Sequence, residues 1–380
     1  MPLLAFLLAF MVLPIGGMLR LAVSNGELRA TMPATTEALR DWDGEGVPPE
    51  ALVATFAEEL RAAREARSLG PVGQRLNNAR PGDRSIVQGT ARRLPDEPDG
   101  DWRATLAGID ETWGEPRIWR SLQAASAPWT ELYLLQALDL ERDADGGIRA
   151  VGDDRAIYRS ILGRTFLISL VVTLACLAIG YPLAYKLASL PPRIANPLTI
   201  LVLLPFWTSL LVRSAAWIVV LQREGPINEA LLALGLVDEP VQLVFNRIGV
   251  YIAMTHVLLP FMVLPLLSVM RSIPPSHMRA AISLGATPLE AFVRVYLPQT
   301  RAGIGAGCLL VFILAIGYYI TPALVGGAAD QMISYFVAFF TIQTVNWGMA
   351  AALGSILLVA TLVLYLVYAR LVGIDRLTLG

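Results

Sequence analysis

Residues 274–298 read PPSHMRAAISLGATPLEAFVRVYLP. The pattern predicts two short helices that meet at Gly285, because a glycine after a helix adopts the left-handed conformation without a steric penalty. Ser276 follows two prolines and suits the N-cap of the first helix. Thr287–Glu290 has the spacing of a capping box with proline at the first helical position, and Pro298 is expected to end the second helix. We therefore expect a rigid helix–glycine–helix elbow.

Long apolar segments lie on both sides of this elbow. The chain of 380 residues is 55% hydrophobic and 16% charged, whereas soluble domains are about 25% charged. A helix needs about 20 apolar residues to cross about 30 Å of hydrocarbon. Six segments meet or approach this length: 1–19, 165–186, 197–222, 248–270, 302–324 and 348–370. The sequence predicts an all-α integral membrane protein with about six transmembrane helices, the last five forming a core over 161–372.

The first apolar segment has a second interpretation, that of a cleaved signal sequence. It lacks a positively charged start and has no A-x-A cleavage pattern. We therefore expect an uncleaved span. Polar residues separate 331–346 from the last span, and we expect this piece to be a short helix that lies along the outer face or lines a cavity.

The positions of arginine and lysine in the short loops predict the orientation, because these residues favour the cytoplasmic side. Arg271–Arg301 holds four arginines and one acid, and 186–196 has two basic residues and no acid. In contrast, 223–247 holds four acids against two arginines. Asp330 is the only charged residue between the fifth and sixth predicted spans. This predicts a cytoplasmic loop over 271–300 and cytoplasmic termini in a multi-pass membrane protein.

Residues 20–160 form a charged insert between the first and second predicted spans, on the extracytoplasmic (periplasmic) side. They hold 42 of the 61 charged residues and suit one small, mainly helical domain. Apolar residues at helical spacing predict a helix over 51–69, ended by Gly70 and Pro71. The composition of 77–100 predicts a loop. Four tryptophans indicate a folded core: Trp42, Trp102, Trp113 and Trp129. We interpret the insert as a docking surface for a soluble partner; a solvated cap without a specific role is the alternative.

Other residue types exclude several functions. Cys176 and Cys308 are the only cysteines, so neither a disulfide framework nor a Cys-rich zinc site is available. The single lysine, Lys186, precedes a leucine and cannot complete a phosphate-binding loop. A net charge of −1 gives no electrostatic support for a nucleic-acid partner. We expect no catalytic residue, no metal and no cofactor on this chain.

The 271–300 loop resembles the EAA signature of ABC importer permeases, E-A-A-x3-G-x9-I-x-L-P, at every spacing. Arg279 stands where the signature has glutamate, and Val295 replaces its isoleucine. The resemblance implies a type I permease fold in which this loop is the coupling helix in a groove of the ATPase subunit. The residues that it implies for ATPase coupling are Arg279, Ala280, Ala281, Gly285, Thr287, Glu290, Leu297 and Pro298.

The likeness extends over about Thr165–Val372. Two stretches are similar to spermidine/putrescine-type permease subunits: Leu203–Thr208 followed by Arg213, and Thr321–Gly327. The resemblance implies the permease subunit of an ATP-driven, binding-protein-dependent importer. It also implies the partners: two ATPase subunits that carry ATP and magnesium, a second permease subunit, expected to be a different chain, a periplasmic solute-binding protein and membrane lipid.

Aromatic and basic residues within the spans are candidates for the translocation path: Trp207, Arg213, His256, Tyr318, Tyr319 and Trp347. Aromatic faces bind cationic amines, but aromatic side chains also favour the membrane interfaces. No aspartate or glutamate lies inside the six predicted spans. We therefore expect selectivity to reside in a separate binding protein. Polyamines, other organic cations, opine-like amino acids and phosphonates all remain open as substrates.

Two other classes of function fit the sequence less well. A membrane receptor with residues 20–160 as its ligand domain requires a cytoplasmic signalling domain, yet no inner segment exceeds about 30 residues. A membrane enzyme requires convergent histidines, cysteines or acids, and His256 is the main titratable candidate in the spans. The sequence therefore favours a non-catalytic transport subunit.

Overall fold

The computed structural model describes residues 2–142 and 147–372, and it is 76% helical. One small antiparallel pair of strands, Leu140–Arg142 and Ile148–Ala150, aligns Leu140 with Ala150. The described residues form two compact units: Met1–Val151 with Phe340–Ser355, and Gly152–Phe339 with Ile356–Gly380. The all-α fold expected from the sequence is confirmed.

The first unit begins with a continuous apolar helix, Pro2–Leu21, that includes a π-helical stretch at Leu8–Val12. The helices of the insert follow: Glu27–Thr31, Pro33–Asp41, Glu50–Glu65, Leu69–Ala79, Asp83–Arg93, Trp102–Ile109, Pro116–Ser126 and Leu132–Ala137.

A cluster of aromatic rings forms the centre of the insert. The ring of Phe56 lies 5.0 Å from that of Trp113 and 5.3 Å from that of Trp119, and the two indoles are 5.2 Å apart. Both indole N–H groups have acceptors, since Trp113 donates to the Thr90 hydroxyl and Trp119 donates to the Trp113 carbonyl. Each such ring pair contributes about 0.5–1.5 kcal/mol beyond its buried area. The folded core indicated by the tryptophans is present, although Trp129 is exposed.

Two local predictions for the insert were wrong. The helix expected over 51–69 ends at Glu65, and Gly70 and Pro71 lie in the first turn of the next helix. Part of the loop expected over 77–100 is the helix Asp83–Arg93. Its buried face consists of Val87, Thr90 and Ala91, together with Asp83, which accepts a hydrogen bond from Arg117 at 2.9 Å. Because this apolar face is small and lies among arginines, the sequence shows little of the apolar periodicity that predicts a helix.

The helices of the second unit are Tyr158–Ser189, Pro192–Leu203, Leu210–Leu221, Pro226–Ala233, Arg247–Ser272, Pro275–Ser283, Pro288–Ala291, Leu297–Gln299, Arg301–Gly317 and Ile320–Val325. Short 3-10 turns occupy Leu204–Trp207 and Ala328–Asp330, and Phe292–Tyr296 is π-helical. Ile333–Ile342 and Trp347–Val372 run from one unit to the other.

Three helices form the core of the second unit: Tyr158–Ser189, Arg247–Ser272 and Arg301–Gly317. Their close approach depends on small residues, which is typical of helix pairs in membranes. A Cβ atom on Gly307 would lie 2.7 Å from the sulfur of Met262, and one on Gly180 would lie 3.0 Å from the same side chain. Met262 therefore fills a space that exists because both neighbours lack a side chain.

Within the part of the chain that the structure describes, four helices are long and apolar enough to cross a membrane, and counting each bent pair of helices as one span gives six. The third predicted span, 197–222, is not one helix: Pro192–Trp207 and Leu210–Ala233 meet at a bend of 100°. Thr208 and Ser209 are extended at the bend. Continuous apolarity predicted a continuous helix, and the bend follows Pro205, which cannot donate a helical hydrogen bond.

The fifth predicted span, 302–324, is also interrupted. Its helix, Arg301–Gly317, ends at Tyr318, and the chain resumes as Ile320–Val325. The other spans correspond to longer helices: Pro2–Leu21, Tyr158–Ser189, Arg247–Ser272 and Trp347–Arg370. The piece expected over 331–346 contains the separate helix Ile333–Ile342.

Asp330, the only charged residue between the fifth and sixth predicted spans, is buried. Its carboxylate accepts a hydrogen bond from Arg247 at 2.9 Å and another from the Gly327 amide at 3.3 Å. Arg164 donates to the neighbouring Ala329 carbonyl. The carboxylate is therefore engaged by groups of its own chain within the second unit.

Candidate functional site

The 271–300 loop has the helix–glycine–helix form that its sequence predicts. Pro275–Ser283 ends in a closed turn in which the Gly285 amide donates to the Ile282 carbonyl and the Ala286 amide donates to the Ala281 carbonyl. Gly285 has a φ of +94°, in the left-handed region that favours glycine. Local hydrogen bonds and one backbone angle therefore set the direction of the elbow.

The second half of the loop begins with the expected capping box. The Glu290 amide donates to the Thr287 hydroxyl at 3.3 Å, and the Glu290 carboxylate accepts from the Thr287 amide at 3.0 Å.

Pro298 does not end this segment as predicted. The chain continues through the π-helical Phe292–Tyr296 and Leu297–Gln299 to Thr300. The wider π turn precedes the proline, whose missing N–H would otherwise interrupt an α-helix.

Apolar side chains project from this loop into solvent. Leu284 is 89% exposed and Leu289 is 72% exposed, on either side of Gly285. Arg279 and Ala280 are also exposed, and within residues 2–142 and 147–372 Arg279 forms no ion pair. Exposed apolar residues grouped on a polar loop mark a protein interaction surface. Sequence reasoning missed both leucines, although their position beside the glycine was a usable signal.

Three of the residues expected in the translocation path come together in the second unit. Arg213 lies close enough to interact electrostatically with both His256 and Tyr318. The Trp217 indole donates to Nδ1 of His256 at 3.2 Å, with the two rings edge to face. Trp217 was not predicted; an aromatic residue one turn after Arg213 was its only signal.

The remaining three expected path residues are exposed. Trp207 is 71% exposed at the 100° bend, and Tyr319 lies at the interruption after Gly317. Trp347 is exposed at the start of the last helix, in the first unit. Among the residues described by the structure, no group of three histidine, cysteine or acidic side chains is placed to hold a metal ion.

Comparisons with known proteins bear on the family of this chain. Residues 165–373 match the family described as binding-protein-dependent transport system inner membrane component. The spermidine/putrescine transport system permease protein PotB of Escherichia coli (strain K12) is 37% identical over 214 residues, which cover 56% of this chain and 78% of that protein. The corresponding protein of Haemophilus influenzae is 35% identical over 209 residues, covering 54% of this chain and 73% of that protein.

Among solved structures, a bacterial alginate ABC transporter in complex with an alginate-bound periplasmic protein has a chain 18% identical to this one. The TM-score is 0.48, with 58% of this chain and 80% of that chain covered.

The chain belongs to the family of binding-protein-dependent transport system inner membrane components. It is a permease subunit of an ABC importer in a bacterial inner membrane, a translocation component whose ATPase is a separate subunit. The family expected from the 271–300 loop is thus confirmed. The alternatives of a receptor and of a membrane enzyme are not supported by the relatives.

Proposed function

We propose that this permease subunit passes polyamines such as spermidine and putrescine across the inner membrane. The observation that carries the proposal is the 37% identity to a spermidine/putrescine permease over 78% of its length. The aromatic residues near the bends give a physical basis, because aromatic faces attract cationic amines. With no acid in the predicted spans, the passage holds a polycation weakly, so selection falls to a periplasmic binding protein.

The 271–300 loop is proposed as the contact with an ATPase subunit. Leu284 and Leu289 would insert into a groove of that subunit, and Arg279 would face an acidic group there. Ala280, Ala281, Leu297 and Pro298 would shape the helices, while Gly285, Thr287 and Glu290 would fix the angle of the elbow. This assignment rests on the exposed leucines and the hydrogen-bonded turn.

The proposed assembly contains this chain, a second and different permease chain, two ATPase subunits and a binding protein. ATP and magnesium would be held by the ATPase subunits and not by this chain. Closure of the ATPase pair would move the elbows and switch the path between inward- and outward-facing forms. Both termini would be cytoplasmic, and the insert would face the periplasm, where it would receive the binding protein. No nucleic acid takes part.

Uptake of labelled spermidine and putrescine in a strain that lacks this gene would test the substrate. The intact gene is expected to restore uptake that depends on ATP. If the intact gene restored growth on an unrelated solute but no polyamine uptake, the proposed substrate would be refuted. The membership of the permease family would not be affected.

Leu284→Ser is expected to weaken the association with the ATPase subunit without changing the amount of chain in the membrane. An apolar side chain that anchors an interface contributes about 2 kcal/mol of binding free energy, which is roughly a 30-fold change in affinity. The measurement is co-purification of the ATPase subunit with the tagged permease. Leu234→Ser is the control, because Leu234 is likewise strongly exposed, at 72% against 89% for Leu284, but lies in the 223–247 segment. Equal recovery of the ATPase with both variants would contradict the docking role.

A further inference from the structure

Oxygen atoms at the 100° bend converge on the side chain of Arg213. Its Nη2 donates to the Pro205 carbonyl and, at 2.8 Å, to the Thr208 carbonyl, while its Nε donates to the Thr208 hydroxyl at 3.1 Å. The Thr208 hydroxyl in turn donates to the Pro205 carbonyl at 3.0 Å. We call these three oxygens the bend cradle. Pro205 lies in the 3-10 turn Leu204–Trp207, and Thr208 ends it, so their carbonyls carry the negative end of a helical dipole.

No carboxylate forms an ion pair with Arg213 within the described ranges, 2–142 and 147–372. Arg213 lies close enough to His256 and Tyr318 to act on both electrostatically. An arginine in an apolar span is energetically costly unless polar groups surround it. The bend cradle is therefore what offsets the cost of this charge.

The same three oxygens match another kind of cation. A primary ammonium has three N–H donors and no acceptor, and the cradle offers two carbonyl oxygens and one hydroxyl. The guanidinium and an ammonium group therefore compete for the same acceptors. Arg213 is attached to the helix that follows the bend, so its local concentration is high and fixed.

We propose that the bend cradle is a transient site for a primary ammonium group of the transported solute, and that Arg213 occupies it between passages as a tethered competitor. This inference rests on the polyamine function proposed above. Exchange of guanidinium for ammonium keeps the oxygens satisfied throughout. Repulsion from the displaced Arg213 shortens the stay of the solute, since passage requires binding that is weak enough to permit release.

The test uses the full chain co-expressed and purified with its partner subunits, without the binding protein. Thermal stability is measured against spermidine, with sodium and magnesium chloride at matched ionic strength as controls. Arg213→Met removes the competitor, so spermidine is expected to raise the Tm by a few degrees in a saturable way. The intact protein and Arg213→Lys retain a tethered cation and are expected to show no such rise.

Arg213→Gln is a second variant, because its neutral amide can still donate to the cradle and hold the bend. For Arg213→Gln, a spermidine-dependent rise in Tm that is smaller than the rise for Arg213→Met would support the site, provided that magnesium leaves the Tm unchanged. An assembled Met or Gln variant without a spermidine-dependent rise would overturn it, even if the intact protein transports spermidine. Failure of both variants to assemble would assign Arg213 only to holding the bend and would equally overturn the proposal. Absence of spermidine uptake by the intact protein, in contrast, would refute the substrate.

Discussion

Gly285→Val is expected to lower solute uptake at least about tenfold while the chain remains in the membrane. A Cβ atom at this position meets nothing within 4 Å, so the cost is not a clash but the φ of +94°. A left-handed residue other than glycine costs roughly 1–2 kcal/mol, with branched side chains among the least tolerated. The elbow relieves this strain by turning, which moves Leu284 and Leu289 away from the groove proposed for them in the ATPase subunit.

The measurement is labelled-spermidine uptake, normalised to the amount of chain in the membrane fraction. Gly285→Asn is the matched control, because asparagine tolerates positive φ better than any branched residue. We expect the asparagine variant to retain most of the uptake and the valine variant to lose at least about tenfold, the effect of 1.4 kcal/mol on an equilibrium. Normal uptake with valine would show that the angle of the elbow is not part of coupling.

Gly348→Ala is expected to lower the thermal stability of the chain strongly. A Cβ atom on Gly348, at the start of the last helix, would overlap the ring of Tyr133 in the same unit. That ring cannot move aside easily, because it is buried and the Arg75 guanidinium lies 5.8 Å from its centroid. Arg75 is fixed in turn by a hydrogen bond of 2.5 Å to Asn25. Overpacking of this kind costs about 1–3 kcal/mol.

The measurement is the Tm of the purified chain in detergent, and Gly163→Ala is the control. Gly163 lies inside the helix Tyr158–Ser189, where a new Cβ atom meets nothing within 4 Å. The double variant Gly348→Ala, Tyr133→Leu is expected to be less unstable than the sum of the single changes, since the two sites are in contact. Strict additivity would contradict the packing described here.

The environment of Tyr133 also differs from that of an ordinary surface tyrosine. Burial raises the pKa of its hydroxyl above the usual value, while the nearby positive charge of Arg75 acts in the opposite direction. The phenol therefore stays protonated throughout the neutral range, and the packing against Gly348 involves an uncharged ring.

The features that sequence predicted best were those determined by neighbouring residues. The capping box at Thr287 and the turn at Gly285 need only local hydrogen bonds and one backbone angle, so their residue types were sufficient. Total apolarity likewise indicated a membrane protein. Hydropathy reports the surroundings of a segment and not the continuity of its backbone, which is why 197–222 appeared as one helix.

The features that sequence could not give depend on distant partners. Asp83–Arg93 is helical because a few small side chains meet a core formed by Phe56, Trp113 and Trp119, far away in the chain. The contacts of Arg213 with the Pro205 and Thr208 carbonyls required the geometry of the bend. The sequence showed that an arginine within an apolar span is unusual. It could not show which groups bind Arg213.

The cluster of inclined rings formed by Phe56, Trp113 and Trp119 gives the insert an optical signature of its own. Two indoles 5.2 Å apart and inclined by 60° couple their electronic transitions, and a coupled chiral pair produces a split circular dichroism band. Loss of that band reports unfolding of the insert alone, while the helical signal of the spans persists. The folding of the insert can therefore be followed in an intact membrane preparation without an attached dye.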